Sequence, residues 1–138
     1  MEQAKEAGVK NFDRFNNAGY KGLYNMYNFQ LAKKRDVPRK DLLEYMGRTE
    51  LAVKSLQTAL TEEKIKNGKI TGQESLENAH REVGGKVRNL VWETAGVYSE
   101  DLPVEKKLPE IKKEFKKARR EVKKEYKPQK LKRKKRGN

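Results

Sequence analysis

The stretch TGQESLENAHREVGGKVRNLV, residues Thr71 to Val91, decides the fold. It begins with a capping box, in which the side chains of Thr71 and Glu74 satisfy free backbone N–H groups at the start of a helix. The residues that follow recur with helical spacing and define one inward face: Leu76, His80, Val83, Val87, Leu90 and Val91. We therefore expect a long amphipathic helix that starts at this box and ends before Gly96.

Two adjacent glycines, Gly84 and Gly85, lie inside this predicted helix. Each glycine in a helix costs about 1 kcal/mol relative to alanine. Close approach of a neighbouring helix is the favoured explanation, and a hinge is the alternative. His80 is the only histidine, and one isolated imidazole lacks the partners that catalysis or metal binding requires. We interpret it as a partly buried helix residue.

Two more helical regions are predicted upstream. Thr49 can cap a helix that Asn67 and Gly68 end, with one apolar side formed by Leu51, Ala52, Val53, Leu56, Ala59 and Leu60. Nearer the N-terminus, Gly19 and Gly22 predict two short helical pieces that meet at a bend. These pieces carry an aromatic cluster, consisting of Phe12, Phe15, Tyr20, Tyr24 and Tyr27, with Leu23 at the same helical spacing. We interpret the cluster as core, with stacking on exposed bases beside Lys21 as the alternative.

The stretch QLAKKRDVPRKDLLEYMG, residues Gln30 to Gly47, predicts a helix-turn-helix-like corner. Asp36 suits the left-handed turn, and Leu42, Leu43 and Met46 can pack inward. In a DNA reader, residues 39, 40, 41 and 44 would face the groove, but these are Arg, Lys, Asp and Glu, whose charges cancel. Phosphate contact is therefore favoured over base reading or a merely solvated corner, through Lys33, Lys34, Arg35, Arg39 and Lys40.

The composition predicts a small all-α protein with a basic arm. The 138 residues are 34% hydrophobic and 39% charged, with no cysteine. No segment shows convincing strand alternation. No apolar run could span a membrane, and MEQAKEAGVK lacks the cations followed by an apolar run that a signal peptide has, so we expect a cytoplasmic protein that contacts no membrane.

The net charge is +14, and fifteen cations against three glutamates between Lys112 and Arg136 supply +12 of it. Such asymmetry favours a polyanionic partner.

Residues 101–126 are expected to form a linker and a basic amphipathic helix. The linker pattern begins at Val97 and ends at Pro103, and the helix has a narrow apolar seam of Leu108, Ile111, Phe115, Ala118, Val122 and Tyr126. Residues 1–100 are expected to form a compact bundle of short helices, and residues 127–138 a disordered basic tail. No nucleophile motif, phosphate-binding loop or metal-ligand set is apparent, so the sequence predicts neither an enzyme nor a cofactor.

Several blocks occur in the order typical of one bacterial family. They include FNNAGYKGLYN, LLEYMGRTELA, AHREVGGKVRNLV and SEDLP, and they cover residues 4 to about 103. In these blocks the chain resembles the C-terminal half of the DNA-damage-inducible protein D family. The resemblance implies a non-catalytic modulator of RecA-type recombinase filaments on single-stranded DNA. Family members also carry a preceding domain akin to phage antirepressor and Bro proteins, so we expect a shortened relative encoded by a phage or mobile element.

The sequence thus predicts a non-enzymatic nucleic-acid-binding modulator of recombination or the SOS damage response. DNA is favoured over RNA, and a recombinase or another host nucleoprotein complex is the expected protein partner. One alternative is a phage inhibitor that acts through protein contacts, and another is a sequence-specific helix-turn-helix regulator. Besides the five corner cations, the expected phosphate contacts are Lys112, Lys113, Lys116, Lys117, Arg119, Arg120, Lys123, Lys124, Lys132, Arg133, Lys134, Lys135 and Arg136.

Overall fold

The computed structural model of the protein describes residues 2–105 and 117–122. The fold is all-α, as predicted, and no β-strand occurs within the described residues. The α-helices are α1 (Glu2–Glu6), α2 (Phe12–Tyr24), α3 (Asn28–Arg35), α4 (Arg48–Gly68) and α5 (Gln73–Ala95). Short 3-10 turns cover Arg39–Asp41, Leu43–Tyr45 and Ser99–Asp101. Residues Met1–Val104 form one compact unit. Residues 117–122 are helical and belong to a second unit.

Helices α2 and α5 pack together most extensively, and glycines permit their close approach. A Cβ atom on Gly84 would lie 2.7 Å from the Leu23 nitrogen, and one on Gly22 would lie 2.0 Å from the Arg81 carbonyl oxygen. The close contact predicted at Gly84 is therefore confirmed, whereas a Cβ atom on Gly85 would have no neighbouring atom within 4 Å. The bend predicted in α2 is wrong. Its glycines serve helix packing, and α2 runs unbroken.

The apolar core consists of two clusters. The larger joins α2, α3, the corner and α5, through Tyr20, Leu23, Tyr24, Leu31, Ala32, Leu42, Met46, Val83, Val87, Val91 and Leu102. The smaller lies at the other end of α2 and contains Ala4, Phe15, Ile65 and Leu76. The predicted inward face of α5 is confirmed except at Leu90, which is exposed. Most of the aromatic cluster is core, as interpreted, but Phe12 and Tyr27 are exposed.

The side of α4 that was predicted to be buried faces solvent, and the opposite side is buried. Leu51, Leu56 and Leu60 are exposed, whereas its buried residues are Glu50, Gln57, Thr61 and Ile65. Hydrogen bonds offset the burial of most of these polar atoms, although Glu50 Oε1 has no hydrogen-bond partner among the described residues. Gln57 Nε2 donates to the Gly19 carbonyl oxygen at 3.0 Å, and Thr61 Oγ1 lies 2.8 Å from His80 Nδ1. Specific polar partners on α2 and α5 therefore decide which face of α4 is buried.

The helix caps predicted at Thr49 and Thr71 are wrong, whereas the predicted ends of the same two helices are confirmed. Helix α5 begins after Gly72, whose cap has no side-chain hydrogen bond, so the capping box at Thr71 does not form. Gln73 Oε1 instead accepts hydrogen bonds from the backbone nitrogens of residues 10 and 11, at 2.8 and 3.0 Å. Helix α4 likewise begins after Gly47 and not at a Thr49 cap. It ends at Gly68, and α5 ends before Gly96, which adopts a φ of 76°.

The predicted corner contains one α-helix followed by two 3-10 turns. Helix α3 ends at Asp36, which takes the left-handed conformation expected of it, with φ 56°. Beyond the turn, 3-10 geometry replaces the second α-helix. Leu42 and Met46 pack inward as predicted, whereas Leu43 is exposed. The corner is therefore anchored to the core, but it does not present a continuous second helix.

The segment after α5 packs against the bundle, which differs from the predicted linker. Arg88 pairs with Glu100 at 2.6 Å, and its guanidinium carbon lies 3.9 Å from the centre of the Tyr98 ring. Ser99 and Leu102 are buried. These contacts fix the chain from Tyr98 to Leu102, and an isolated bridge joins Val104 to Met46.

Candidate nucleic-acid interface

Of the five cations of the corner, Arg35 is buried in an ion pair, Lys34 is exposed in an ion pair, and the other three are exposed and, among the described residues, unpaired. Lys34 Nζ pairs with Asp101 at 3.0 Å, and Arg35 pairs with Glu50 at 2.9 Å, its side chain only 6% exposed. Lys33, Arg39 and Lys40 are exposed and make no ion pair within the part of the chain that the structure describes. These three are free to contact phosphates, whereas Lys34 would have to exchange its exposed ion pair for such a contact.

Arg35 belongs to a buried network around Glu50. The Glu50 carboxylate is fully buried and accepts hydrogen bonds from Arg35 and from the Tyr24 hydroxyl. Burial, reinforced by this carboxylate, raises the pKa of Tyr24 well above its usual range. Lys54 Nζ lies 4.0 Å from the centre of the Tyr20 ring, and burial lowers the pKa of Lys54 to about 8. The network joins α2, α3 and α4, so Arg35 and Glu50 are paired with each other inside the bundle.

A polar groove of about 270 Å³ lies between α2 and the corner. Its lining residues are Asp13, Asn16, Asn17, Tyr20, Asn28, Arg39, Lys40, Leu42 and Leu43. The Asn28 backbone N–H donates to Asn17 Oδ1 at 2.8 Å, while the buried Asn28 Oδ1 has no hydrogen-bond partner among the described residues. Because buried acceptors are rarely left unpaired, this oxygen suits a donor from a ligand. The carboxamides and two cations match the base edges and phosphates of nucleic acid, and the Asp13 carboxylate leaves the lining with a net charge of only +1.

Tyr27 and Phe29 form an aromatic platform. In sequence they lie on either side of Asn28, which lines the groove. The two rings are stacked with centres 6.2 Å apart and an interplanar angle of 11°. Phe29 is 55% exposed and Tyr27 38%. Lys21 Nζ lies 5.3 Å from the Tyr27 ring centre. Exposed stacked rings beside cations are a typical surface for unpaired bases.

Phe29 is a candidate site residue that the sequence pattern did not single out. Phe29 and Lys33 are four residues apart in α3, which places a ring and a cation on the same helix face. That spacing is visible in the sequence, but the predicted aromatic cluster ends at Tyr27. A fold that buries Tyr20 and Tyr24 leaves Phe29 outside the core.

The basic arm falls largely outside the described residues. Lys117, Arg119 and Arg120 are exposed on the helical segment 117–122, together with the seam residues Ala118 and Val122. The remaining seam residues lie outside the described part, as do the predicted contacts Lys112, Lys113, Lys116, Lys123, Lys124, Lys132, Arg133, Lys134, Lys135 and Arg136.

His80 is buried and serves the fold. Its ring stacks on Phe15 with centres 4.5 Å apart, and Nδ1 bonds to Thr61. Burial, followed by the charge of Lys54, lowers the pKa of His80 to about 4. Within residues 2–105 and 117–122 no group of three or more acidic or imidazole side chains is arranged to hold a metal ion. The same residues contain no helix that is long and apolar enough to cross a membrane.

Comparison with known proteins identifies the family. The family model of the DinD C-terminal domain matches residues 1–113. The DNA damage-inducible protein D of Escherichia coli strain K12 is 35% identical over 108 residues, which cover 75% of this chain and 39% of that protein. The chain therefore spans well under half the length of this relative. No solved structure matches significantly. The chain belongs to the DinD C-terminal domain family.

Proposed function

We propose that the protein is a non-enzymatic module that binds unpaired nucleic acid strands, DNA in preference to RNA, and thereby modulates recombination or repair after DNA damage. Tyr27 and Phe29 stack on bases, while Lys33, Arg39 and Lys40 bind phosphates. The arm adds non-specific affinity through Lys117, Arg119 and the cations that follow them in sequence.

The observation that carries this proposal is the aromatic platform. Two stacked rings of this size cost free energy in water unless they are covered, and the core does not cover them. Duplex DNA cannot stack on such a platform because its bases are already paired and stacked. Lys21 and Lys33 flank the rings and suit the backbone of a single strand, which favours an unpaired strand as the ligand.

The damage-response role rests on the family. The relative from Escherichia coli is named for induction by DNA damage, and single-stranded DNA is the nucleic acid that accumulates where recombinase filaments form. A module that binds unpaired bases would compete with, or attach to, such a filament. We propose this nucleoprotein complex as the target.

Two other functions have weaker support. An inhibitor that acts by protein contacts alone is favoured by the leucines exposed on α4, but it leaves the platform and the groove without a role. A sequence-specific regulator requires a recognition helix in the major groove. The 3-10 turns after Pro38 provide a poor substitute for one.

The proposal is tested by titrating labelled single-stranded DNA, duplex DNA and single-stranded RNA with the full chain over a range of salt concentrations. We expect the highest affinity for single-stranded DNA and a steep fall as salt rises, because phosphate binding releases counterions. A protein-contact inhibitor predicts no measurable affinity for any of the three, even at low salt.

A further inference from the structure

We propose that the polar groove between α2 and the corner selects guanine from the bases of an unpaired strand. The Asp13 carboxylate accepts hydrogen bonds from the Watson–Crick edge of the base, while Arg39 and Lys40 bind the phosphates of the strand. This inference rests on the proposed function, because it requires an unpaired strand at the corner, and it adds the base that the groove prefers.

One face of α2 supplies a row of polar side chains to the groove. The lining residues from this helix are Asp13, Asn16, Asn17 and Tyr20. They lie at positions i, i+3, i+4 and i+7, which share one side of a helix. The corner adds Arg39 and Lys40 to the same groove. Its volume of about 270 Å³ lies just below the range of about 300–1,000 Å³ that drug-sized ligands occupy, which suits a single base.

The Asp13 carboxylate has free hydrogen-bonding capacity. It is exposed, and within residues 2–105 and 117–122 it makes no ion pair and accepts no hydrogen bond, although two cations line the same groove. A carboxylate repels phosphates, so a groove that bound only the sugar-phosphate backbone would be better without it. A base that donates to Asp13 turns this repulsion into recognition.

A carboxylate distinguishes guanine from the other bases by the order of donors along the Watson–Crick edge. Guanine carries an N1–H beside a 2-amino group, and these two donors match the two carboxylate oxygens in a bidentate, charge-assisted contact. Adenine and cytosine each place a ring acceptor beside their amino group, so the second carboxylate oxygen would meet another acceptor. Thymine has one N–H between two carbonyl oxygens. In a duplex the guanine edge is already paired, which is why this contact requires an unpaired strand.

A second acceptor in the groove also lacks a donor. Asn28 Oδ1 is buried and has no hydrogen-bond partner among the described residues. Guanine has three N–H hydrogens on its Watson–Crick edge, more than any other base, so one remains after two have bonded to Asp13. The groove therefore has two acceptors to satisfy, and guanine supplies the most donors. The carboxamide of Asn16, one helical turn from Asp13, is a donor for the guanine carbonyl oxygen.

Binding of the full chain to short oligothymidylates with one central substitution tests the selection. We expect guanine to raise the affinity about tenfold over thymine. Hypoxanthine, which lacks only the 2-amino group, should lose most of this gain, and adenine and cytosine should bind like thymine. Adenine and hypoxanthine also control for the stacking of purines on the aromatic platform. Equal affinity for all the oligonucleotides overturns the guanine inference and leaves the proposed function standing, whereas no binding at low salt overturns both.

The variant Asp13→Asn tests the assignment of this carboxylate. It should abolish the preference for guanine without weakening the binding of oligothymidylate, because it removes a negative charge. The matched control is Glu74→Gln, which removes an exposed acid from the first turn of α5 and should keep the preference. Circular dichroism checks that both variants are folded. A guanine preference that persists in Asp13→Asn, or that disappears equally in Glu74→Gln, overturns the proposal.

Discussion

Thr61 and His80 are joined by a 2.8 Å contact between the hydroxyl oxygen and ring Nδ1, which links the buried polar row of α4 to α5. Thr61 also donates to the carbonyl oxygen of Gln57 at 2.8 Å. Its single proton is thereby used, so Nδ1 bears a proton and donates to the hydroxyl. Burial, together with nearby Lys54, lowers the pKa of His80 to about 4.

Acidification should therefore destabilise the protein through His80. The unfolded histidine takes up a proton near pH 6.5, whereas the folded one does so only near pH 4. The stability that the neutral ring contributes is present above pH 6.5 and is lost as the pH falls towards 4, by up to about 3 kcal/mol. Urea unfolding at a series of pH values measures this loss.

The matched variant for this prediction is His80→Gln, which cannot titrate. It should be less stable at pH 7, because it loses the stack on Phe15, but it should lose less stability on acidification than the natural chain. Equal losses in the two proteins would show that the acid sensitivity does not come from His80.

Gly84 and Gly85 provide a pair of neighbouring substitutions with opposite expected effects. An alanine at position 84 would place Cβ 2.7 Å from the Leu23 nitrogen, whereas an alanine at position 85 meets nothing within 4 Å. Gly84→Ala should destabilise the fold by about 1–3 kcal/mol through overpacking. Gly85→Ala should stabilise it by about 0.5–1 kcal/mol, because alanine favours the helix. Thermal unfolding of both variants checks the difference, which equal effects would contradict.

Substitutions at Arg35 and Lys33 should differ in their effect on the free energy of unfolding, which urea unfolding measures. Arg35→Ala leaves the Glu50 carboxylate buried without its cation, which should cost about 3–5 kcal/mol. Lys33→Ala should change stability by less than about 0.5 kcal/mol, because Lys33 is exposed. Replacing both charges, with Arg35→Met and Glu50→Leu, should recover much of the loss. If Arg35→Ala proves as stable as Lys33→Ala, the buried network is not structural.

The sequence predicts the fold where the spacing of apolar residues, or a residue that favours the left-handed conformation, determines the local structure. The inward face of α5, the close approach at Gly84 and the turn at Asp36 all follow from local patterns. The orientation of α4 does not, because its leucines predict the wrong face. Glu50 and its neighbours are buried only because Tyr24, Arg35 and other distant residues supply hydrogen bonds, and no local pattern contains that information.

The sequence predicts that cations lie at the candidate site, but it does not predict how the side chains are arranged there. Five cations in one short stretch indicate a phosphate patch, but Lys34 and Arg35 are held by acids that follow later in the chain. Tyr27 groups with the core aromatics in sequence because helical spacing alone does not separate buried from exposed rings. Phe29 becomes significant only once the packing shows that the two rings are stacked and exposed.

The three free corner cations should contribute to the salt dependence of binding. Removing Lys33, Arg39 and Lys40 together, by alanine substitution, should reduce the slope of log affinity against log salt by about 2 for single-stranded DNA. The matched control removes Lys5, Lys10 and Lys66, which are exposed elsewhere on the bundle, and lowers the net charge equally. An identical change of slope in both triple variants would mean that net charge, and not this patch, determines binding.

The central claim is that the aromatic platform binds unpaired bases, and the affinity of Phe29→Ala for a single-stranded DNA oligonucleotide tests it most directly. Phe12→Ala is the control, since Phe12 is an exposed ring at the opposite end of α2 from Lys21 and Tyr27. Loss of one stacked base should weaken binding by about tenfold in Phe29→Ala and leave Phe12→Ala unchanged. Equal affinity of Phe29→Ala and the natural chain would contradict the proposal.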